Sequence, residues 1–251
     1  MMSDSPDALT RRSALALMSA TGAAGLAATA QPAVAGQADP PPKVTQKYIF
    51  GYGSLIQIES RTRTVPKAFA AWPVIVKGIT RGWYYQADDA SLNPTYLGAE
   101  NKEGAVTNGV IYPVTDSEFE ATKLREADYR PTEIQASAIT WLDGRKAAPD
   151  GEFWYFASKS RKTATAAHPI VQSYVDICVD GCLQLEEIYP LAKDANFAEQ
   201  FISTCSDWKT PWMNDRIYPW RPFIHVPRAS TIDRLLRKVL GDDLFNKLTV
   251  V

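Results

Sequence analysis

The chain has 251 residues, of which 45% are hydrophobic and 22% are charged, as is typical of a soluble globular protein. This length allows one domain of ordinary size or two small ones. The formal net charge of −1 gives no basic excess, so we expect no nucleic-acid partner.

The first 35 residues have the layout of an export signal. Arg11-Arg12 begins a weakly apolar, Ala-rich run to about residue 30, and residues 33–35 offer an A-x-A cleavage site. The paired arginines predict the twin-arginine route to the periplasm. We therefore predict a signal peptide at 1–35 and a flexible lead-in at 36–45, with no stable membrane insertion after cleavage. A disordered Ala-rich tail is the alternative.

Strand-like segments dominate residues 46–160. They are short runs rich in β-branched and aromatic residues, bounded by Gly, Pro, Asn or Asp. The predicted strands are Lys47–Gly51, Val74–Tyr85, Tyr96–Ala99, Val106–Pro113, Thr132–Leu142 and Glu152–Ala157.

One helix interrupts these strands. Thr115 and Glu118 form a capping box at its start. Pro131 forces the helix to stop before it. Glu126 is therefore expected in the last turn of this helix, just ahead of a strand.

Residues 161–251 change to a helical pattern. The predicted helices are Pro169–Leu185, Ala195–Cys205 and Thr231–Leu240, and the Pro- and Trp-rich stretch Trp208–Pro227 is predicted to be an ordered loop. Together the segments predict an α+β fold, either a mixed sheet or a small β-barrel with packed helices. The helical part is expected to extend the core at 46–160 within the same domain.

A glycine loop follows the first strand, in the run Phe50-Gly51-Tyr52-Gly53-Ser54-Leu55. Its two glycines remove side chains where backbone N–H groups could converge on an anion. The run is not a Rossmann fingerprint, because Ile56 stands where a third small residue is needed. It has no lysine for a P-loop, and Ser54 lacks the flanking glycines of a nucleophile elbow.

This run resembles the Phe-Gly-Tyr-Gly-Ser-Leu signature of γ-glutamylcyclotransferase-like proteins. The segment Leu124–Arg130 is similar to the family segment in which a catalytic glutamate is followed by Tyr and Arg. The two matches cover about Lys47 to Ala157, and the C-terminal third matches no motif. One departure is Ala127, which stands with Asp128 where family members commonly carry glycine.

The resemblance implies the γ-glutamylcyclotransferase-like fold and a catalytic role for Glu126 as general base. It also implies that the loop holds the amino-acid end of a small γ-glutamyl substrate. The implied substrate-binding residues are Tyr52, Gly53, Ser54, Leu55 and Tyr129. For Tyr129, a place in the pocket and a place in the core are equally compatible with the sequence.

The implied reaction is cyclisation of a γ-glutamyl amine or peptide to 5-oxoproline, with release of an amine. The substrate's own α-amine is the nucleophile, and tethered nucleophiles can reach effective molarities of about 10⁵–10⁸ M. The reaction therefore needs no covalent enzyme nucleophile, metal or cofactor, and we expect none. Neither the individual substrate nor the oligomeric state follows from the sequence.

Two other functions stay open. The first is an exported binding domain of the same fold without activity. The second, which no spacing favours, is a serine hydrolase that uses Ser54 with His168 or His225 and an aspartate.

Burial as small apolar residues explains the three cysteines at least as well as a disulfide does. Cys178 and Cys182 lie four apart in a predicted helix, a geometry that rarely forms a disulfide. A bond from Cys205 to either of them stays open. With only two histidines in the chain, no zinc-ligand spacing is recognisable.

Overall fold

The structure, a computed structural model, describes residues 45–87, 93–209, 211–219 and 226–250. The predicted signal peptide at 1–35 and residues 36–44 of the predicted lead-in lie outside these ranges, so both stay predictions. Within the described ranges, no helix combines the length and apolarity that crossing a membrane requires.

The described strands belong to one mixed sheet. They are β1 (Lys47–Gly51), β2 (Trp72–Gln86), β3 (Thr95–Val114), β4 (Tyr129–Ile134), β5 (Ile139–Trp141), β6 (Glu152–Ser158), β7 (Ile170–Val171), β8 (Cys205–Ser206), β9 (Trp212–Asn214) and β10 (Thr249–Val250). The main path runs β10-β9-β7-β3-β1-β6-β4, while β2 pairs with β3, β5 and β8. Strand β1 is antiparallel to β3 and parallel to β6. Because the path has two ends, the sheet is open, and of the two predicted architectures the mixed sheet is correct.

Two predicted strand boundaries were wrong. Tyr96–Ala99 and Val106–Pro113 belong to the single strand β3, which pairs with β2 on both sides of a register shift between Lys77 and Ile79. The shift skips residues 102–105 in the polar middle of β3. The segment Thr132–Leu142 is broken by a 3₁₀ turn at Ala136–Ala138. This turn redirects the chain from β6, the partner of β4, to β2, the partner of β5.

The described helices pack against this sheet or against one another. They are α1 (Ile58–Thr64), α2 (Asp116–Arg125), α3 (Gln172–Ile188), α4 (Pro190–Asp194), α5 (Phe197–Thr204), α6 (Ala229–Leu240) and α7 (Asp242–Phe245). The predicted capping box of α2 is confirmed, because Glu118 N donates to Thr115 Oγ1 and Thr115 N donates to Glu118 Oε2. Helix α3 begins three residues later than predicted, since Ile170–Val171 is paired in the sheet. The predicted loop Trp208–Pro227 contains strand β9, and part of it lies outside the described residues.

The α+β class is therefore confirmed, and the helical third shares a core with the sheet. A single cluster of buried side chains joins Ile49 of β1 to residues of α3, α5 and α6, such as Val175, Phe201 and Leu236. A second cluster, with Phe50 and Val76, covers the other face of the sheet. Burial of this much apolar surface is the main stabilising contribution to such a fold.

Helix α3 lies directly on the chain that follows the glycine loop. A Cβ atom at Gly181 would come 2.4 Å from the backbone nitrogen of Gln57 and 2.7 Å from its Cα. Real Cβ atoms do not approach backbone this closely, so only glycine permits the contact. The loop after β1 is thus supported by a helix from the C-terminal third.

The cysteines give a first testable prediction. None of the three forms a disulfide, and all are buried. Burial raises the pKa of Cys205 to about 12 and that of Cys182 above its usual value. Because the thiolate is the reactive form, we expect reaction with a disulfide reagent at pH 8 to be at least about 100-fold slower in the native protein than after denaturation. A thiol that reacts as fast in the native protein as in the denatured protein would contradict the burial of the cysteines.

Candidate functional site

A cavity of about 400 Å³ lies where the loop after β1 meets the turn between α2 and β4. The two sequence motifs approach each other here, although they are far apart in the chain. All six predicted site residues line the cavity: Tyr52, Gly53, Ser54, Leu55, Glu126 and Tyr129. Their chemical roles stay predictions.

The glycine loop closes into a short 3₁₀ helix over Ser54–Ile56. Ile56 N donates to Gly53 O at 2.9 Å, and Gln57 N donates to Ser54 O at 3.2 Å. The N–H groups of Ser54 and Leu55 belong to the first turn, so this helix supplies no acceptor for them. Backbone donors of this kind suit an anionic group in the cavity.

Two buried arginines hold the carbonyl groups of the loop. Arg61 Nη1 donates to Leu55 O at 3.0 Å and to Ile56 O at 2.9 Å. Arg81 Nη1 donates to Tyr52 O at 3.1 Å. Burial lowers the pKa of Arg61 to about 10, which still leaves it charged at neutral pH. Sequence analysis missed both residues, because a single sequence does not show which arginines are buried.

Glu126 lies at the C-terminal cap of α2, as the sequence predicts. Arg125 Nε and Nη2 both donate to its Oε1 atom, at 2.9 and 2.5 Å. Within the described residues, the other oxygen, Oε2, accepts no hydrogen bond. One oxygen is thus fixed by an ion pair while the other can accept a proton or hydrogen bond from a ligand.

Asp128 lies at the rim of the same cavity. Its side chain is exposed, and its Oδ2 atom accepts a hydrogen bond from Tyr85 Oη at 3.1 Å. The extra carboxylate noted in the sequence is therefore engaged by a tyrosine, one of the cavity residues that sequence analysis missed.

Tyrosine side chains form much of the cavity wall. Tyr52 Oη donates to Phe156 O at 2.7 Å, and the Tyr129 ring lies 4.4 Å from that of Tyr85. Burial raises the pKa of both Tyr52 and Tyr129 well above that of free tyrosine, so both stay neutral. Tyr129 lies in both of the places open to it, since it lines the cavity and also packs against the buried core.

Tyr96 and Tyr174 extend this wall and were missed by sequence analysis. Their rings lie 4.7 Å apart, and both residues line the cavity. The Tyr174 hydroxyl lies 3.0 Å from the position that a Cβ atom on Gly53 would take. Neither tyrosine stands in a motif, so no signal in the sequence marks them.

The serine-hydrolase alternative gains no geometric support. His168 is not among the residues that line the cavity, and His225 lies outside the described residues. In the part of the chain that the structure describes, no group of three His, Cys, Asp or Glu side chains could hold a metal ion.

Comparison with solved structures finds similar folds at low identity. An uncharacterized protein from Homo sapiens matches 64% of this chain and 89% of its own, at 13% identity and a TM-score of 0.48. A γ-glutamyl cyclotransferase matches 77% of this chain and 99% of its own, at 12% identity and a TM-score of 0.47. A γ-glutamyl cyclotransferase specific to glutathione, from yeast, matches 63% and 97%, at 12% identity and a TM-score of 0.36.

Several of the matching structures are thus γ-glutamyl cyclotransferases, the family that the sequence motifs resemble. No protein-family model and no curated protein matches the chain.

Proposed function

We propose that the protein cyclises a small γ-glutamyl compound to 5-oxoproline and releases an amine. The observation that carries this proposal is the shared cavity of Glu126 and the loop from Tyr52 to Leu55. A carboxylate and a row of backbone donors are the two groups that such a cyclisation requires.

In the proposed reaction the substrate's α-amine attacks its own γ-carbonyl carbon. Glu126 takes a proton from the amine through Oε2, the oxygen that Arg125 leaves open. The new C–N bond closes the ring, and the bond to the departing amine breaks as that nitrogen receives the proton. Loop amides of Gly53 to Leu55 stabilise negative charge on the substrate.

Isotope labelling tests this route against hydrolysis. We expect turnover in ¹⁸O-labelled water to give 5-oxoproline whose ring carbonyl is unlabelled, since no water enters the reaction. A serine hydrolase would release glutamate with label in the γ-carboxylate. Mass spectrometry separates the two products, and labelled glutamate would remove the cyclotransferase proposal. No turnover across a panel of γ-glutamyl amines and peptides would favour the inactive binding domain.

We also propose that the protein is exported to the periplasm, on the strength of Arg11-Arg12 and the A-x-A site at residues 33–35. N-terminal sequencing of the native protein should show a start near residue 36 in the periplasmic fraction. An intact, cytosolic form beginning at Met1 would contradict this proposal.

A further inference from the structure

Arg81 is a buried cation directly behind the glycine loop. Its side chain is 0% exposed, and Nη1 donates to Tyr52 O at 3.1 Å and to Asn108 O at 2.7 Å. No carboxylate among the described residues pairs with it. A buried charge without a carboxylate partner is unusual, because its desolvation is costly.

The other side of the guanidinium is fixed by neutral groups. Nη2 donates to Asn108 Oδ1, Phe201 O and Thr204 Oγ1, at 2.9, 3.0 and 3.1 Å. The guanidinium carbon lies 3.9 Å from the centre of the Phe201 ring. These contacts hold Arg81 in one position without cancelling its charge.

Cys205 lies beside the guanidinium but does not neutralise it. Burial raises the pKa of Cys205 to about 12, so its thiol is neutral at pH 7. Burial also lowers the pKa of Arg81, yet arginine keeps its proton in proteins. A net positive charge therefore stands behind the loop.

The Tyr52 carbonyl determines where the next amide points. In a trans peptide the C=O and N–H bonds point in opposite directions. Since the carbonyl faces Arg81, the Gly53 N–H points away from Arg81. Gly53 is also one of the residues that line the cavity.

We propose that Arg81 is a positioning residue for anion binding: it turns the Gly53 N–H toward the cavity and adds buried positive charge behind it. The anion is the α-carboxylate that a γ-glutamyl substrate and 5-oxoproline share. This inference rests on the proposed function, because that function supplies the anion. A merely structural arginine would affect charged and neutral ligands alike, whereas this role requires a preference for the anion.

Two substitutions at Cys205 test the charge while leaving Arg81 in place. In Cys205→Asp a carboxylate beside the guanidinium cancels its charge, while Cys205→Asn has the same shape without charge. The dissociation constants of 5-oxoproline and of its neutral carboxamide are measured by calorimetry, after circular dichroism and melting establish that both variants are folded.

We expect Cys205→Asp to bind 5-oxoproline about tenfold more weakly than Cys205→Asn, the scale of one charge interaction in a partly screened site. The carboxamide should bind the two variants within about twofold. Equal affinities for 5-oxoproline in the two folded variants would overturn the inference.

If Cys205→Asp does not fold, a second pair of variants tests whether the charge of Arg81 contributes to anion binding. Arg81→Lys keeps the charge and Arg81→Met removes it. Arg81→Met should lose more affinity for 5-oxoproline than for the carboxamide, and Arg81→Lys should restore part of that difference. Equal losses of affinity for both ligands would overturn the role of Arg81 in anion binding but not the proposed function. A wild-type protein that neither binds 5-oxoproline nor forms it would overturn the proposed function as well.

Discussion

Glu126→Gln should lower kcat by about 10²–10⁴-fold, the usual contribution of a positioned general base. Glutamine keeps the shape of the side chain and can still accept a hydrogen bond from Arg125, but its amide cannot take a proton from the substrate amine. Turnover is measured as 5-oxoproline released from a γ-glutamyl substrate under saturating conditions.

The control for this variant is Glu120→Gln on the same helix. The Glu120 side chain is 63% exposed and forms an ion pair with Lys123. Because an exposed ion pair contributes little to stability, loss of the Glu120 charge should leave turnover within about twofold of the wild type. Both variants should melt close to the wild type. If Glu126→Gln keeps turnover within about threefold of the wild type, Glu126 is not the base.

Gly53→Val should raise KM and the 5-oxoproline dissociation constant by about 10–100-fold, since overpacking at a tight site costs about 1–3 kcal/mol. A Cβ atom at this position already lies 3.0 Å from the Tyr174 hydroxyl and 3.6 Å from Leu97 Cδ1. The two methyl groups of valine would then occupy space over the loop amides. Ligand binding and a thermal melt are measured on the same sample.

Gly53→Ala provides a graded control. Alanine adds only the Cβ atom, which Tyr174 can accommodate by moving a few tenths of an ångström, so we expect an intermediate loss of affinity. A folded Gly53→Val protein that binds 5-oxoproline as tightly as the wild type would show that the loop does not hold the anion.

The sequence was sufficient for the parts of the fold that depend on local signals. The capping box at Thr115 and Glu118 determines where α2 begins, and the apolar run before Gly51 predicts β1 to the residue. Long-range pairing was harder to predict. The polar segment between Ala99 and Val106 indicated a break, yet β3 continues through it and pairs with β2 on both sides.

The candidate site also has some residues that local sequence signals reveal and others that they do not. The loop residues and Glu126 are recognisable because they stand in motifs, and the structure brings them to one cavity. Arg81, Tyr96 and Tyr174 contribute through long-range contacts that no local pattern encodes, whereas Arg61 lies close to the loop in sequence but stands in no motif. Their positions depend on packing, which a single sequence does not reveal.

The close contact between Gly181 and Gln57 has a consequence for the order in which the protein matures. The ribosome makes the glycine loop long before it makes α3, so the emerging chain lacks the helix that supports this loop. Such non-local contacts form late in folding. We expect a nascent chain that ends before α3 to have no ordered glycine loop, and the cavity to form only after the C-terminal third has been synthesised.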